Sequence, residues 1–375
     1  MKKYKSIYVA ASRQHVGKTT STLGLVSCLM NRGLKVGYCK PVGQKFVDLT
    51  DIRVDKDTIL FADLIHFDIR PDIHSPVILG DGATKKFLDE PRFDDLKNAI
   101  LVARDEMESS NEITIYEGTG HPGVGSLAGV SNAQVAKMVD ASVIFIVEGG
   151  IGSTIDMMNM CLALFREEKV PILGVIVNKV REDKMEKVRH YLSKYLDSVG
   201  IPLLGLLPYD RSLAYPVMHT ISDVVRGTVT ANPHKLYNKV TDILAGSLID
   251  TDKLENNSDL LLIVSARQVN EAIRKVERMS EELGLDSSPL SGVVATGKGA
   301  IDDHCLNYIN KNDIPLVRTD LDTYGCVIKI SRIEVKINRN TPWKVKRAIE
   351  LIDENVDLDF ILNETRIDEN KNPGQ

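Results

Sequence analysis

Tyr8-Val9-Ala10-Ala11-Ser12-Arg13-Gln14-His15-Val16-Gly17-Lys18-Thr19-Thr20 decides how the rest of the chain is read. An apolar run over residues 6–10 enters a short polar loop. Gly17-Lys18-Thr19-Thr20 leads out of it into residues 21–31, whose apolar positions recur at helical spacing. Strand, loop and helix in that order are what a phosphate-binding loop requires. The N–H groups of the loop and the positive end of the helix then converge on the same phosphates. Lys18 is placed to reach the terminal phosphate oxygens, and Thr19 to offer its hydroxyl to Mg2+. In the pattern G-x-x-x-x-G-K-[ST] the first Gly falls on Ser12, so the loop is a variant. A chance Gly-Lys-Thr at the head of a helix is the competing reading.

Around this motif the chain is ordinary in bulk. Its 375 residues suffice for two domains, and 43% hydrophobic with 26% charged residues suits a globular protein. A net charge of −5 argues against nucleic acid as a general partner. The apolar start is far too short for a signal sequence or a membrane span, so no membrane partner and a cytoplasmic location are expected. Cys28, Cys39, Cys161, Cys305 and Cys326 are scattered and lack C-x-x-C spacing. They are expected as small buried hydrophobes rather than metal ligands.

Downstream, residues 35–42 read as a second strand ending in Lys40-Pro41-Val42. Lys40 there either points at the same ligand or is a solvated strand-end lysine. Asp55-Lys56-Asp57 opens an apolar-periodic helix. Such carboxylates cap helices, and they also ligate Mg2+. Residues 71–91 read as loop and residues 94–109 as helix. The strand after them ends in Glu117-Gly118-Thr119-Gly120, which sets an acid at the edge where ligands of a doubly wound sheet gather; a turn with an incidental Glu is the alternative. His121 reads as a surface residue. Strands over 142–147, 172–178 and 203–207 alternate with helices over 153–168 and 183–198. This alternation predicts an α/β fold, a P-loop NTPase-type parallel sheet with helices on both faces. Asn178, at a strand's carboxyl end, carries a donor and an acceptor suited to an adenine edge.

These pieces together resemble the dethiobiotin synthetase-like P-loop family. The matching residues are Val16-Gly17-Lys18-Thr19, Lys40-Pro41-Val42, Glu117-Gly118, Val177-Asn178 and Gly205-Leu206-Leu207-Pro208. A broader likeness, carried by residues 12–44, 210–216 and 315–323, is to the N-terminal region of long bacterial phosphate acetyltransferases, where such a domain precedes a DRTGG domain. The resemblance implies ATP and Mg2+ as cofactors. It assigns Lys18 and Lys40 to phosphate contacts, Thr19, Asp57 and Glu117 to the Mg2+ side, and Asn178 to adenine. The nucleotide contacts it implies run through Ser12, Val16, Gly17, Lys18, Thr19 and Thr20, with Pro208 beyond Asn178; a homodimer is the implied assembly. The chain departs from the dethiobiotin enzymes at Gln14-His15 and Gln44, which argues against dethiobiotin synthesis itself.

The boundaries expected are residues 1–225 for the nucleotide domain, 226–352 for a smaller DRTGG-like α/β domain, and 353–375 for a polar tail. The second domain is read as helix 233–246, a charged linker 250–258, strand 260–264, helix 269–283, strand 292–296, helix 301–310 and strand 315–318. Ser265, Thr296 and Gly297, with Arg267 and Lys298 nearby, suggest a site for an anionic metabolite; tight turns are the bland alternative. Three functions fit: ATP-dependent phosphoryl transfer to a carboxylate or carbamate, a nucleotide sensor with little turnover, and a partitioning-type ATPase. The last resembles these loops distantly and ranks third, since it usually has a second lysine early in the loop and Arg13 sits near that place.

Overall fold

The strands of the N-terminal half are apolar on both faces, and they build a sheet covered on both sides. The computed structural model describes residues 4–44, 46–49, 52–246, 258–333 and 335–365. Six strands align in the order Leu203–Pro208, Ile172–Val180, Ser142–Glu148, Ser6–Ala11, Ile113–Glu117 and Val36–Cys39. Every pairing is parallel. Alternate residues serve opposite cores. Tyr8, Ala10, Tyr116, Phe145 and Val177 lie in one, and Ile7, Val9, Ile115, Ile144 and Ile176 in the other, as the two-residue period of a strand requires. The sheet is therefore the α/β, P-loop NTPase-type arrangement expected. Ser6–Ala11 lies between strands that are reached in opposite directions, so the loop after it sits at the topological switch point.

The chain forms two compact units, and their boundary differs from the expected one. The first unit comprises Met1–Asp210 and Ile337–Gln375, the second Arg211–Lys336. The helix Pro342–Asn355 belongs to the first, burying Ala348, Leu351 and Ile352. It lies along the helix Lys18–Asn31 so closely that a Cβ on Gly24 would stand 2.3 Å from Ile352 Cγ1 and 2.7 Å from the Ala348 carbonyl. A second short helix, Leu358–Glu364, buries Leu358 and Ile361 where a loose tail was expected; residues 366–375 lie outside the described residues. The misplaced boundary has a physical cause. An amphipathic helix announces its apolar stripe locally, but not which unit's surface will cover it.

The second unit holds five strands in the order Thr228–Ala231, Leu316–Thr319, Leu290–Thr296, Leu260–Ser265 and Asp242–Ala245, all parallel except the first. The helix expected over 233–246 is not formed. Asn232 adopts φ +47°, a short 3-10 turn follows at Pro233–Lys235, and Asp242–Ala245 pairs with Leu260–Ser265. Pairing along an open sheet edge outweighs the helical spacing of that segment. The helices Val269–Glu282 and Asp303–Lys311 fall where expected, while Thr323–Ser331 is additional. Most of the linker expected at 250–258 lies outside the described residues. In the first unit, residues 71–91 carry the helices Pro71–His74 and Ala83–Asp89 rather than loop alone. All five cysteines are buried. Among the described residues no helix is long and apolar enough to cross a membrane.

Candidate functional site

The loop after Ser6–Ala11 is held by the next two strands of the sheet. Ser12 is buried, and its N–H reaches the Ile146 carbonyl (3.1 Å). The Asn178 side chain donates from Nδ2 to the Val16 carbonyl (2.7 Å), while its Oδ1 accepts the Lys179 N–H (2.8 Å). Gly17 has φ +103°, and a Cβ there would lie 2.1 Å from Asn178 Nδ2. Backbone conformation and close packing thus both demand glycine. Gly17 caps the helix Lys18–Asn31 with no side-chain hydrogen bond, so the N–H groups of its first turn, Lys18 to Thr20, carry no side-chain cap. Arg13 and Lys179 both pair with Glu148 at the loop's outer side, and Lys179 also holds the His15 carbonyl.

Beside the loop lies a buried set of charges. Thr19 donates from Oγ1 to Glu117 Oε1 (2.8 Å), and the Tyr38 hydroxyl donates to Glu117 Oε2 (3.1 Å). Glu117 is fully buried. Burial pushes its carboxyl up to about 7; Asp57 adds to the rise, while Lys40, Lys18 and the Thr19 hydrogen bond hold it back. Lys40 is nearly buried and forms ion pairs with Asp55 (3.0 Å) and Asp57. Burial alone would lower the Lys40 pKa, but the carboxylates of Asp57, Asp55 and Glu117 overcome it and keep the ammonium charged. Asp55 also caps the helix Lys56–Ile65 by accepting the Asp57 N–H, while its Oδ2 is buried without a hydrogen-bond partner. The helix-cap reading of this acidic segment therefore holds at Asp55, while Asp57 faces Lys40.

The loop following Glu117 is fixed by Asn132, which the sequence reading did not single out. Its Oδ1 accepts from the Tyr8 hydroxyl (2.8 Å) and the Thr119 N–H (2.9 Å). Its Nδ2 donates to the carbonyls of Thr119 (2.8 Å) and His121 (2.7 Å). Every hydrogen-bonding position of that amide is used, three on the turn and one on Tyr8 of the neighbouring strand. Gly120 in this turn accepts from Lys18 Nζ at 3.4 Å. A visible signal existed: Ser131 and Gln134 form a capping box that starts the helix Asn132–Met138 beside the turn. His121 is exposed, as expected, with Nδ1 accepting the Gly123 N–H.

The structure therefore gathers Ser12, Val16, Gly17, Lys18, Thr19, Thr20, Lys40, Asp57, Glu117 and Asn178 around the carboxyl ends of adjacent strands. Pro208 stands apart from the charges, ending the outermost strand at the register position of Val180. Asn178 faces the loop in a way its strand-end position did not reveal. Tyr38 and Asn132 are the additions. Among the described residues no group of three or more His, Cys, Asp or Glu side chains is arranged to hold a metal. A paired hydroxyl and carboxylate, both hard oxygen donors, nevertheless suit Mg2+, which takes one or two protein oxygens and completes its shell with phosphate and water.

The sequence model of a family described as AAA domain matches residues 5–217. Phosphate acetyltransferase of Pseudomonas putida is 24% identical over 373 residues, covering 93% of this chain and 49% of that enzyme. Cobyric acid synthase of Listeria monocytogenes is 24% identical over 229 residues, covering 55% of this chain and 44% of that one. The chain spans about half the length of the curated relatives it matches. Among solved structures, the MinD cell division protein of Aquifex aeolicus covers 56% of this chain and 84% of its own, at 16% identity and a TM-score of 0.36.

Proposed function

Since the chain belongs to the AAA domain family, we propose that its first unit binds ATP with Mg2+ at the loop Ser12 to Thr20. The observation that carries this reading is the Thr19–Glu117 hydrogen bond of 2.8 Å beside an uncapped helix N-terminus. When bound, Mg2+ would neutralise charge on the phosphates, with Thr19 and Glu117 as its protein-side oxygens and Asp57 close by. Lys18 and the first-turn N–H groups bind the phosphates. Asn178 holds the loop closed through Val16 and keeps one N–H and one lone pair for adenine. Pro208 lines the base side.

Two outcomes for the bound nucleotide differ in what Lys40 does. In phosphoryl transfer to a carboxylate or carbamate, Lys40 must leave Asp55 and Asp57 to meet the transferring group. Its double ion pair favours the second outcome, a nucleotide sensor with little turnover. The dethiobiotin synthetase-like and DRTGG assignments, a homodimer, and an anionic ligand near Ser265, Thr296 and Gly297 belong to the same proposal. Calorimetric titration with Mg-ATP tests binding, and release of labelled phosphate with and without a panel of small carboxylates separates the outcomes. Absence of Mg-ATP binding by the full chain overturns the proposal.

A further inference from the structure

Each carboxylate oxygen of the fully buried Glu117 has its own donor. Thr19 serves Oε1 at 2.8 Å from the phosphate loop, and the Tyr38 hydroxyl serves Oε2 at 3.1 Å from the strand Val36–Cys39. The second contact depends on the length of a tyrosine. Val36–Cys39 runs parallel to Ile113–Glu117, with Tyr38 opposite Ile115. Glu117 stands two residues further along, about 6.6 Å at the rise of a parallel strand. The two-residue period keeps both side chains on one face of the sheet, that of Val36, Ile113 and Ile115. A tyrosine ring spans that diagonal, whereas the hydroxyl of Ser or Thr, one bond from Cβ, falls short of it.

Tyr38 is itself fixed. The residue is 1% exposed, and its ring stacks on Phe61 with centroids 3.6 Å and planes 7° apart. Phe61 is buried in the helix Lys56–Ile65, four residues after Asp57, so the two side chains share a face of that helix. Asp57 in turn meets Lys40, which lies two residues beyond Tyr38 on the same strand face. One ring thus locates the Glu117 carboxylate by a hydrogen bond and the first turn of the acidic helix by a stack. Phenylalanine would fill the same space, and a buried hydroxyl costs desolvation unless it is matched. Packing therefore accounts for the ring, and Glu117 accounts for the hydroxyl.

We propose that Tyr38 is a positioning residue for Mg2+-linked nucleotide binding: it holds Glu117 Oε2, so that Oε1 stays turned to Thr19 and the two hard oxygens are presented together. The inference rests on the reading of the first unit as a Mg2+-ATP site. Without the Tyr38 hydroxyl, the carboxylate is free to turn about its terminal bond, a soft two-fold torsion. The Lys40 ammonium, whose charge already acts on Glu117, then draws it away from the loop. Donors that orient a ligand in this way change metal affinity about 10–100-fold when removed.

The test is the factor by which Mg2+ tightens ATP binding to the full chain, from calorimetric titrations in excess Mg2+ and in chelator. Tyr38→Phe keeps the stack and removes the hydroxyl. It should lower that factor about tenfold or more, with the affinity in chelator held within about twofold. Phe61→Leu keeps the hydroxyl and loosens its seat, and should lower the factor roughly threefold or more. On a Glu117→Gln background, Tyr38→Phe should change the factor less than about twofold, because the residue it acts through is gone. A Tyr38 with a structural role alone lowers Tm and leaves the factor unchanged in both single variants, and that result overturns the proposal. So does an equal effect of Tyr38→Phe with and without Glu117. A full chain whose ATP binding Mg2+ fails to strengthen overturns the Mg2+ reading itself, and the inference with it.

Discussion

Cutting the chain after residue 225 should unfold the first unit rather than isolate it. The cut removes Leu351, Ile352, Val356, Leu358 and Ile361, all nearly or fully buried, the last four in the core beneath the phosphate-loop helix. Burying each such side chain is worth about 1.5–3 kcal/mol, so the loss comes to roughly 8–15 kcal/mol. A compact denatured ensemble trims that by about 10–40%. What remains matches the whole stability of a typical domain, about 5–15 kcal/mol. Further terms add to it, since the Asp357 N–H loses the Leu204 carbonyl (2.8 Å) and Asp210 loses Arg347 (2.5 Å). The assay is urea unfolding, followed by circular dichroism, of three chains: residues 1–225, the full chain, and a chain whose residues 211–336 are replaced by a Gly/Ser linker of roughly 20 residues. The first should show no cooperative transition and the third should retain one. A cooperative transition of residues 1–225 at the midpoint of the full chain would falsify the reasoning.

Lys18→Ala should abolish measurable Mg-ATP binding in calorimetry while leaving Tm within a few degrees, since Lys18 contacts the Gly120 carbonyl rather than a core; undiminished affinity sinks the phosphate-loop reading. Asn178→Leu strands the Val16 carbonyl at a cost of about 1–3 kcal/mol. It should weaken ATP binding most and blur base discrimination; unchanged affinity for every nucleoside triphosphate removes Asn178 from the site. Glu117 has its carboxyl raised to about 7 from 4.5, so the native state holds a proton that the unfolded chain has lost across that window. Its contribution to stability is present below about pH 4.5 and lost as the pH rises through about 7. Glu117→Gln should flatten the decline between those limits in denaturant midpoints taken at several pH values, and an unaltered slope refutes the assignment. Asn132→Ala leaves the Thr119 N–H and two carbonyls of the turn after Glu117 without partners. It should cost about 2–4 kcal/mol in the same unfolding assay, and a loss below 0.5 kcal/mol would show that the turn holds itself.

The sequence by itself determined the local parts of this protein. Alternating apolar strands and periodic helices placed the parallel sheet. Gly17-Lys18-Thr19 marked the loop, because glycine at φ +103° and a helix start are requirements of a few consecutive residues. Lys40, Glu117 and Asn178 stood out because each lies near the carboxyl end of a strand, and Asp57 because it opens a helix, positions that periodicity reveals. Only the tertiary structure decided what each of them meets. That Asn178 clamps Val16, that Asp55 joins Asp57 on Lys40, and that Tyr38 grips Glu117 depend on register between strands far apart in the chain. The same reason moved the boundary between units. The helix Pro342–Asn355 carries an ordinary amphipathic pattern, and its partner is the surface around Gly24, more than 300 residues earlier. Local spacing fixes which face of an element must be covered; long-range packing alone fixes what covers it.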